Sequence, residues 1–165
     1  MHRHQQQQTP ASSLGAYTWL AINMALSLAA MYFVMFSMID GRSDFRNNLN
    51  MLYMALTMVA PMGIIMLATM AGMYQNRPLN VALYIAFVLI FAAAFTGTRQ
   101  QALIGDRQFI ASMIPHHSGA ILMCRKARLS DPELVKLCQG ISKGQRDEIT
   151  QMEAIAGRLG TAGSR

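Results

Sequence analysis

Three long stretches of this chain carry no charge. Leu14 to Ile39 is uncharged over 26 positions, Leu49 to Tyr74 over 26, and Leu79 to Phe95 over 17. A bilayer core about 30 Å thick needs about 20 apolar residues in a helix, with about 17 as a lower limit. Lipid offers no partner to backbone N–H and C=O groups, so such spans must be helical. The pattern predicts three transmembrane helices over about 14–39, 49–74 and 79–96, separated by Asp40-Gly-Arg-Ser-Asp44 and Gln75-Asn-Arg-Pro78. Tyr17, Trp19, Tyr53, Tyr74 and Tyr84 fall near their ends, where amphipathic rings favour the membrane interface. Pro61 and Gly63 lie inside the second span, where a kink is tolerable.

The first span is longer than a secretory signal core and no small-residue cleavage pattern follows it, so it is expected to be retained. Residues 1–13, with His2, His4 and Gln5 to Gln8, read as a short disordered polar lead. Charged residues make up 13% of the chain, about half the ~25% of soluble domains, which argues against an ordinary soluble enzyme. The net charge of +6 does not mark a nucleic-acid binder. Residues 99–165 hold 10 of the 14 basic and 6 of the 8 acidic residues, mixed in sign, with Phe109 their one aromatic. No nucleic acid is expected as a partner; membrane lipid is. No nucleophile–base triad, phosphate loop or organic-cofactor motif is evident, so a non-enzymatic role is expected.

The polar tail predicts two helices, about 106–128 and 132–159, with Asp106 as a cap and Ser130-Asp-Pro-Glu133 as a capping box. On the second, Leu134, Ile141, Glu148 and Ile155 recur every seven residues, with Cys138, Gln145, Met152 and Leu159 beside them. On the first, Ile110, Met113, His117, Ala120 and Cys124 share a face, flanked by His116 and Met123. Counting outward from a turn near 130–131 sets Cys124 level with Cys138, His116 and His117 with Gln145 and Arg146, and Met113 near Glu148. Pro115 removes a backbone donor and frees the Ala111 carbonyl beside the histidines. Buried polar side chains without partners are costly, and a metal supplies one. Thioether and thiolate donors favour Cu(I), with silver as its mimic, and imidazole also suits copper. A di-iron site needs several carboxylates, and this seam offers Glu148 alone. The cysteines are open to three readings: ligands, a disulfide or plain packing.

The strings Asp106-Arg-Gln-Phe-Ile-Ala-Ser-Met-Ile-Pro-His-His-Ser-Gly-Ala-Ile-Leu-Met123, Asp131-Pro-Glu-Leu134 and Gln145-Arg-Asp-Glu-Ile-Thr-Gln-Met152 resemble the family catalogued as domain of unknown function 305. That family includes periplasmic copper-binding proteins. The resemblance covers about residues 105–159, and its most specific part is Met113-Ile-Pro-His-His117 with Ala120, Ile121 and Met123. It implies half of a ferritin-like four-helix bundle, export of the tail, and copper or silver binding. By motif it implies the ligands Met113, His116, His117, Met123 and Met152, supported by Glu148 and Gln145, with Cys124 and Cys138 outside the core string. Many members are soluble and carry the His-His unit twice; this chain carries it once, behind three spans. The fold class expected is therefore all-α, three transmembrane helices followed by an antiparallel hairpin. A short hairpin buries too little surface to stand alone comfortably. Two or more tails should pair, a homo-dimer restoring four helices, or the tail should dock on the membrane part.

Arg42, Arg46, Arg99 and Arg107 on one side outnumber Arg3 and Arg77 on the other, which by the positive-inside rule favours a cytoplasmic tail. The resemblance implies the opposite, an integral protein of a bacterial inner or plasma membrane with its C-terminal domain outside. Of the chain's 15 methionines, 11 lie between residues 24 and 73. Met51, Met54, Met58, Met62, Met66, Met70 and Met73 span an arc of about 160° on the second span; Met24, Met31, Met35 and Met38 span about 60° on the first. Facing stripes would line a soft-metal path, with Met31, Met35, Met38, Met54, Met58, Met62, Met66 and Met70 as its residues. The function expected is membrane-anchored copper or silver binding for sequestration, tolerance or handover. The alternatives are a copper transport component and a metal-free structural adaptor.

Overall fold

The structure, a computed structural model, describes residues 13–162. His2, His4 and the glutamine run lie outside the described residues. The described chain is all-α: α1 (Ser13–Val34), α2 (Leu49–Thr69), α3 (Arg77–Gln100), α4 (Asp106–Lys126) and α5 (Pro132–Ala162). Short 3-10 turns at Met35–Met38 and Arg42–Asp44 join α1 to α2.

Three helices, Gly15–Met38 including the first 3-10 turn, Leu49–Thr69 and Arg77–Gln100, are long and apolar enough to cross a membrane. Their starts are set by short polar side chains. Asn48 accepts the Met51 N–H at 2.9 Å and Asn76 accepts the Leu79 N–H at 3.1 Å, each satisfying a donor left free in a first helical turn. The second span is shorter than the uncharged run: α2 ends at Thr69, and the chain turns at Met70, whose carbonyl accepts the Met73 N–H. The third runs on to Gln100 and closes on Gln101, a left-handed residue at φ 50°. Pro61 sits within a continuous α2.

Packing between these helices relies on small residues that admit large ones. A Cβ on Gly63 would lie 2.5 Å from Cζ of the Phe87 ring, so only glycine lets α2 and α3 approach this closely. Gly97 similarly receives the Tyr53 ring, whose hydroxyl donates to the Ala102 carbonyl at 2.9 Å. Leu20 and Met24 of α1 pack with Val59 and Leu67 of α2 in one buried cluster. Outward, Val81, Ile85, Val88 and Leu89 of α3 are each more than half exposed, an apolar face that water would penalise and lipid would not. Substituting Gly63 by alanine is expected to lower stability by about 1–3 kcal/mol, read as a lower midpoint of thermal unfolding in detergent. An unchanged midpoint would mean that α2 and α3 do not touch there.

At one end of the three helices the Tyr17 hydroxyl donates to Asn80 Oδ1 at 2.7 Å, and the Tyr17 and Tyr74 rings lie 5.3 Å apart. The other end carries the hairpin. Of the two arrangements expected for the tail, docking on the apolar helices is the one found within the chain. Gln108 accepts the Leu49 N–H at 3.0 Å and Ser112 accepts from Asn50 at 3.2 Å. Ser118, fully buried, accepts the Asp40 N–H at 2.7 Å and donates to Asp44 Oδ2. Gly119 meets the Met38 carbonyl, which lies 3.3 Å from where a Cβ would stand. Arg125 reaches Asp40 Oδ1 at 2.7 Å, off the line of a directed hydrogen bond.

Changing Ser118 to alanine would strand the Asp40 N–H against a methyl group. The expected cost is about 1–3 kcal/mol, seen as faster amide hydrogen exchange at Asp40 to Asp44. Exchange unaltered in that segment would show that the loop is held by other contacts.

Candidate metal centre

Helix α4 has two working faces. One, through Gln108, Ser112 and Ser118, meets the start of α2 and the loop after α1; the other meets α5. Ile110, Ile114 and Ile121 are its buried apolar residues. Pro115 is also buried, and α4 stays continuous through it. Two expected caps are corrected. Asp106 is the first helical residue, and Gly105 precedes it without a side-chain cap. At the start of α5 it is Asp131, not Ser130, that accepts the Leu134 N–H at 2.8 Å, because Pro132 then occupies the first helical position, where its missing N–H costs nothing.

His117 faces α5. Its Nδ1 lies 2.9 Å from Glu148 Oε2, and its side chain is 12% exposed. The carboxylate is close but off the line of a directed hydrogen bond, so the buried Nδ1 has a charged neighbour and no aligned partner. The expected register placed Gln145 opposite the histidines; the structure places Glu148 there, about one turn further along α5. The Cys124–Cys138 pair matches the expected level. Helical side chains lean toward the N-terminus of their own helix, so in this antiparallel pair the His117–Glu148 contact falls about three positions beyond the simple count.

His116 does not join this contact. It is exposed, and its ring centroid stands 6.0 Å from that of His117. Met123 is 60% exposed, seven positions from His116 and so on the same outward side. Met113 and Met152 are half-buried. Each lies one helical turn from a member of the His117–Glu148 pair, Met113 before His117 and Met152 after Glu148. Gln145 is half-buried on the same helix as Glu148.

Cys124 and Cys138 form a disulfide, with a Cα–Cα distance of 5.3 Å. Of the three open readings this is the disulfide, and in that form the pair offers no thiolate, the ligand form. Position alone would also separate them from the histidine: Cys124 is seven residues from His117, about 10.5 Å along the helix, whereas metal–sulfur bonds are about 2.3 Å. Among the described residues no three His, Cys, Asp or Glu side chains gather closely enough to hold a metal ion by themselves. A metal at His117 would need the neighbouring thioethers or a second chain. Those thioethers are soft donors, which suits Cu(I) and silver and not zinc or di-iron chemistry.

The methionine stripes meet in part. Met24, Met31, Met62 and Met66 belong to the apolar cluster between α1 and α2. Met35 and Met51 are half-buried, while Met38, Met54, Met58, Met70 and Met73 face outward. The α2 arc is wider than the contact with α1, so its edges turn toward the surroundings.

What the sequence reading missed is the seat of the hairpin. Asp40 and Asp44 read there as part of a linker between spans, and Ser118-Gly119 were given no role of their own. The available signal was the pair of small residues at the centre of an amphipathic helix, where a backbone can come close.

An all-α chain with three helices fit to cross a membrane and a disulfide-closed His-His hairpin is the class defined by these features. Residues 94–156 match the family described as Domain of unknown function (DUF305). A relative from Acanthamoeba polyphaga mimivirus, "Uncharacterized protein L153", is 34% identical over 114 residues, covering 68% of this chain and 73% of that protein. The chain belongs to the DUF305 family. No solved structure matches it.

Proposed function

We propose that this protein is a membrane-anchored binder of Cu(I), with silver as a mimic, serving sequestration, tolerance or handover of the metal as cargo. The observation that carries this reading is His117. It is a nearly buried imidazole beside a carboxylate, lacking an aligned partner, with Met113 and Met152 a turn away on the two helices. With Nδ1 turned to Glu148, Nε2 is the nitrogen left to bind a cation, and the carboxylate orients the ring, as outer partners of ligating histidines commonly do. His116 and Met123 face outward, where a second hairpin would complete a donor set that one chain leaves short. The homo-dimer is proposed on that ground.

The disulfide supports an extracytoplasmic hairpin, since such bonds persist in oxidising compartments. That agrees with the family resemblance and opposes the arginine count. The Met24, Met31, Met62 and Met66 cluster favours a second reading, in which cargo moves between α1 and α2. The test for the first reading is elemental analysis and Cu(I) titration of the full chain purified from copper-supplemented cells. Copper should co-purify and be lost in the His116→Ala/His117→Ala variant. Copper retained by that variant would remove the site, and metal-free wild-type protein of native stability would favour the structural adaptor.

A further inference from the structure

The disulfide forms part of the wall of a cavity of about 650 Å³ on the hairpin. Cys124 and Cys138 share that lining with Arg125, Lys143 and Arg146, against the single carboxylate Asp147. Both cysteines are only half-buried. The volume falls within the range that holds small molecules, about 300–1,000 Å³. All three cations are exposed; Arg125 pairs with Asp40, and among the described residues Lys143 and Arg146 are in no ion pair.

We propose that this recess is a thiol–disulfide exchange site for low-molecular-weight thiols that carry carboxylates. Exposed cations draw in the anion, and guanidinium groups hold carboxylates with paired hydrogen bonds. The bound thiolate attacks one cysteine sulfur; a new S–S bond forms, the Cys124–Cys138 bond breaks, and its electron pair leaves on the other cysteine as thiolate. A second molecule of the thiol then attacks the mixed disulfide. Two thiols become one small disulfide, and the protein gains two thiols, so electrons and protons balance. Cationic neighbours favour the leaving thiolate. The site is separate from His117 and does not depend on the metal reading.

The test uses the full chain in detergent with three probes: reduced glutathione, 2-mercaptoethanol and cysteamine. Rates of disulfide opening, followed by mass spectrometry, are normalised to thiolate concentration. Glutathione should lead 2-mercaptoethanol by about fivefold, the upper range for one solvent-exposed charge pair, and cysteamine should be slowest. The lead should fall below about twofold in high salt and in Lys143→Gln/Arg146→Gln. That milder variant is paired with Lys143→Glu/Arg146→Glu, and circular dichroism reports whether each is folded. Rates independent of probe charge would overturn the proposal. So would a glutathione lead that survives in a folded variant lacking both cations.

Discussion

His117→Ala is expected to weaken Cu(I) binding by about a hundredfold or more, while His116→Ala costs about tenfold or less. The asymmetry follows from placement. His117 is 12% exposed and held at Glu148, whereas His116 looks outward from the same turn of helix. A pre-oriented, desolvated donor loses less freedom on binding than an exposed one. Glu148→Gln keeps the shape and removes the charge beside the ring; outer partners of ligating histidines typically contribute about 10–100-fold in affinity. Competition titration against a Cu(I) chelator reads all three variants. Equal losses at the two histidines would mean that His116 binds the metal as directly as His117, and that burial beside Glu148 does not set the ranking.

The second large effect concerns the disulfide. Replacing both cysteines by serine should cost the hairpin about 3 kcal/mol, the chain-entropy value for closing a loop of about 15 residues. Helix α5 is exposed or half-buried along its described side chains, none being fully buried. It has little packing to offset the loss. The far end keeps the Arg107 contact to the Leu159 carbonyl and the Arg46–Glu153 pair at 3.1 Å, both at the surface and worth little. Hydrogen exchange should therefore rise along α5 and in the 127–131 turn while α2 and α3 stay protected. Uniform protection in the double variant would show that the seam holds the hairpin without its covalent clasp.

The parts of the fold readable from sequence were those governed by local rules. Charge-free runs determine where a helix can lie in apolar surroundings, and Ser130-Asp-Pro-Glu133 marks the start of α5. The level of Cys124 with Cys138 follows from counting out of a tight turn, because slippage cannot accumulate over so few residues. Glu148 lies about three positions beyond the counted partner of His117, because each side chain leans toward its own helix N-terminus, which a count of backbone levels leaves out. Periodicity did place His117 on the row of Ile110, Met113, Ala120 and Cys124, with His116 flanking it about 100° away. That His116 is left exposed is decided by what α4 packs against. The methionines divide for the same reason: the arc is a property of α2, but the width of its contact belongs to α1 and α2 together.

The seating of Ser118 on Asp40 and Asp44 has a consequence for assembly in a bilayer. The acceptor loop follows one crossing and the hairpin follows three, and the difference is even. Both therefore emerge on the same face, whichever face that is. Skipping α2 or α3 would leave them on opposite sides, with Ser118 facing no loop and the Asp40 amide facing no hydroxyl. The contact can close only after two further helices have been threaded correctly. With all three helices across a bilayer, a buried hydroxyl about 75 residues downstream would find its loop only when the number of crossings between them is even.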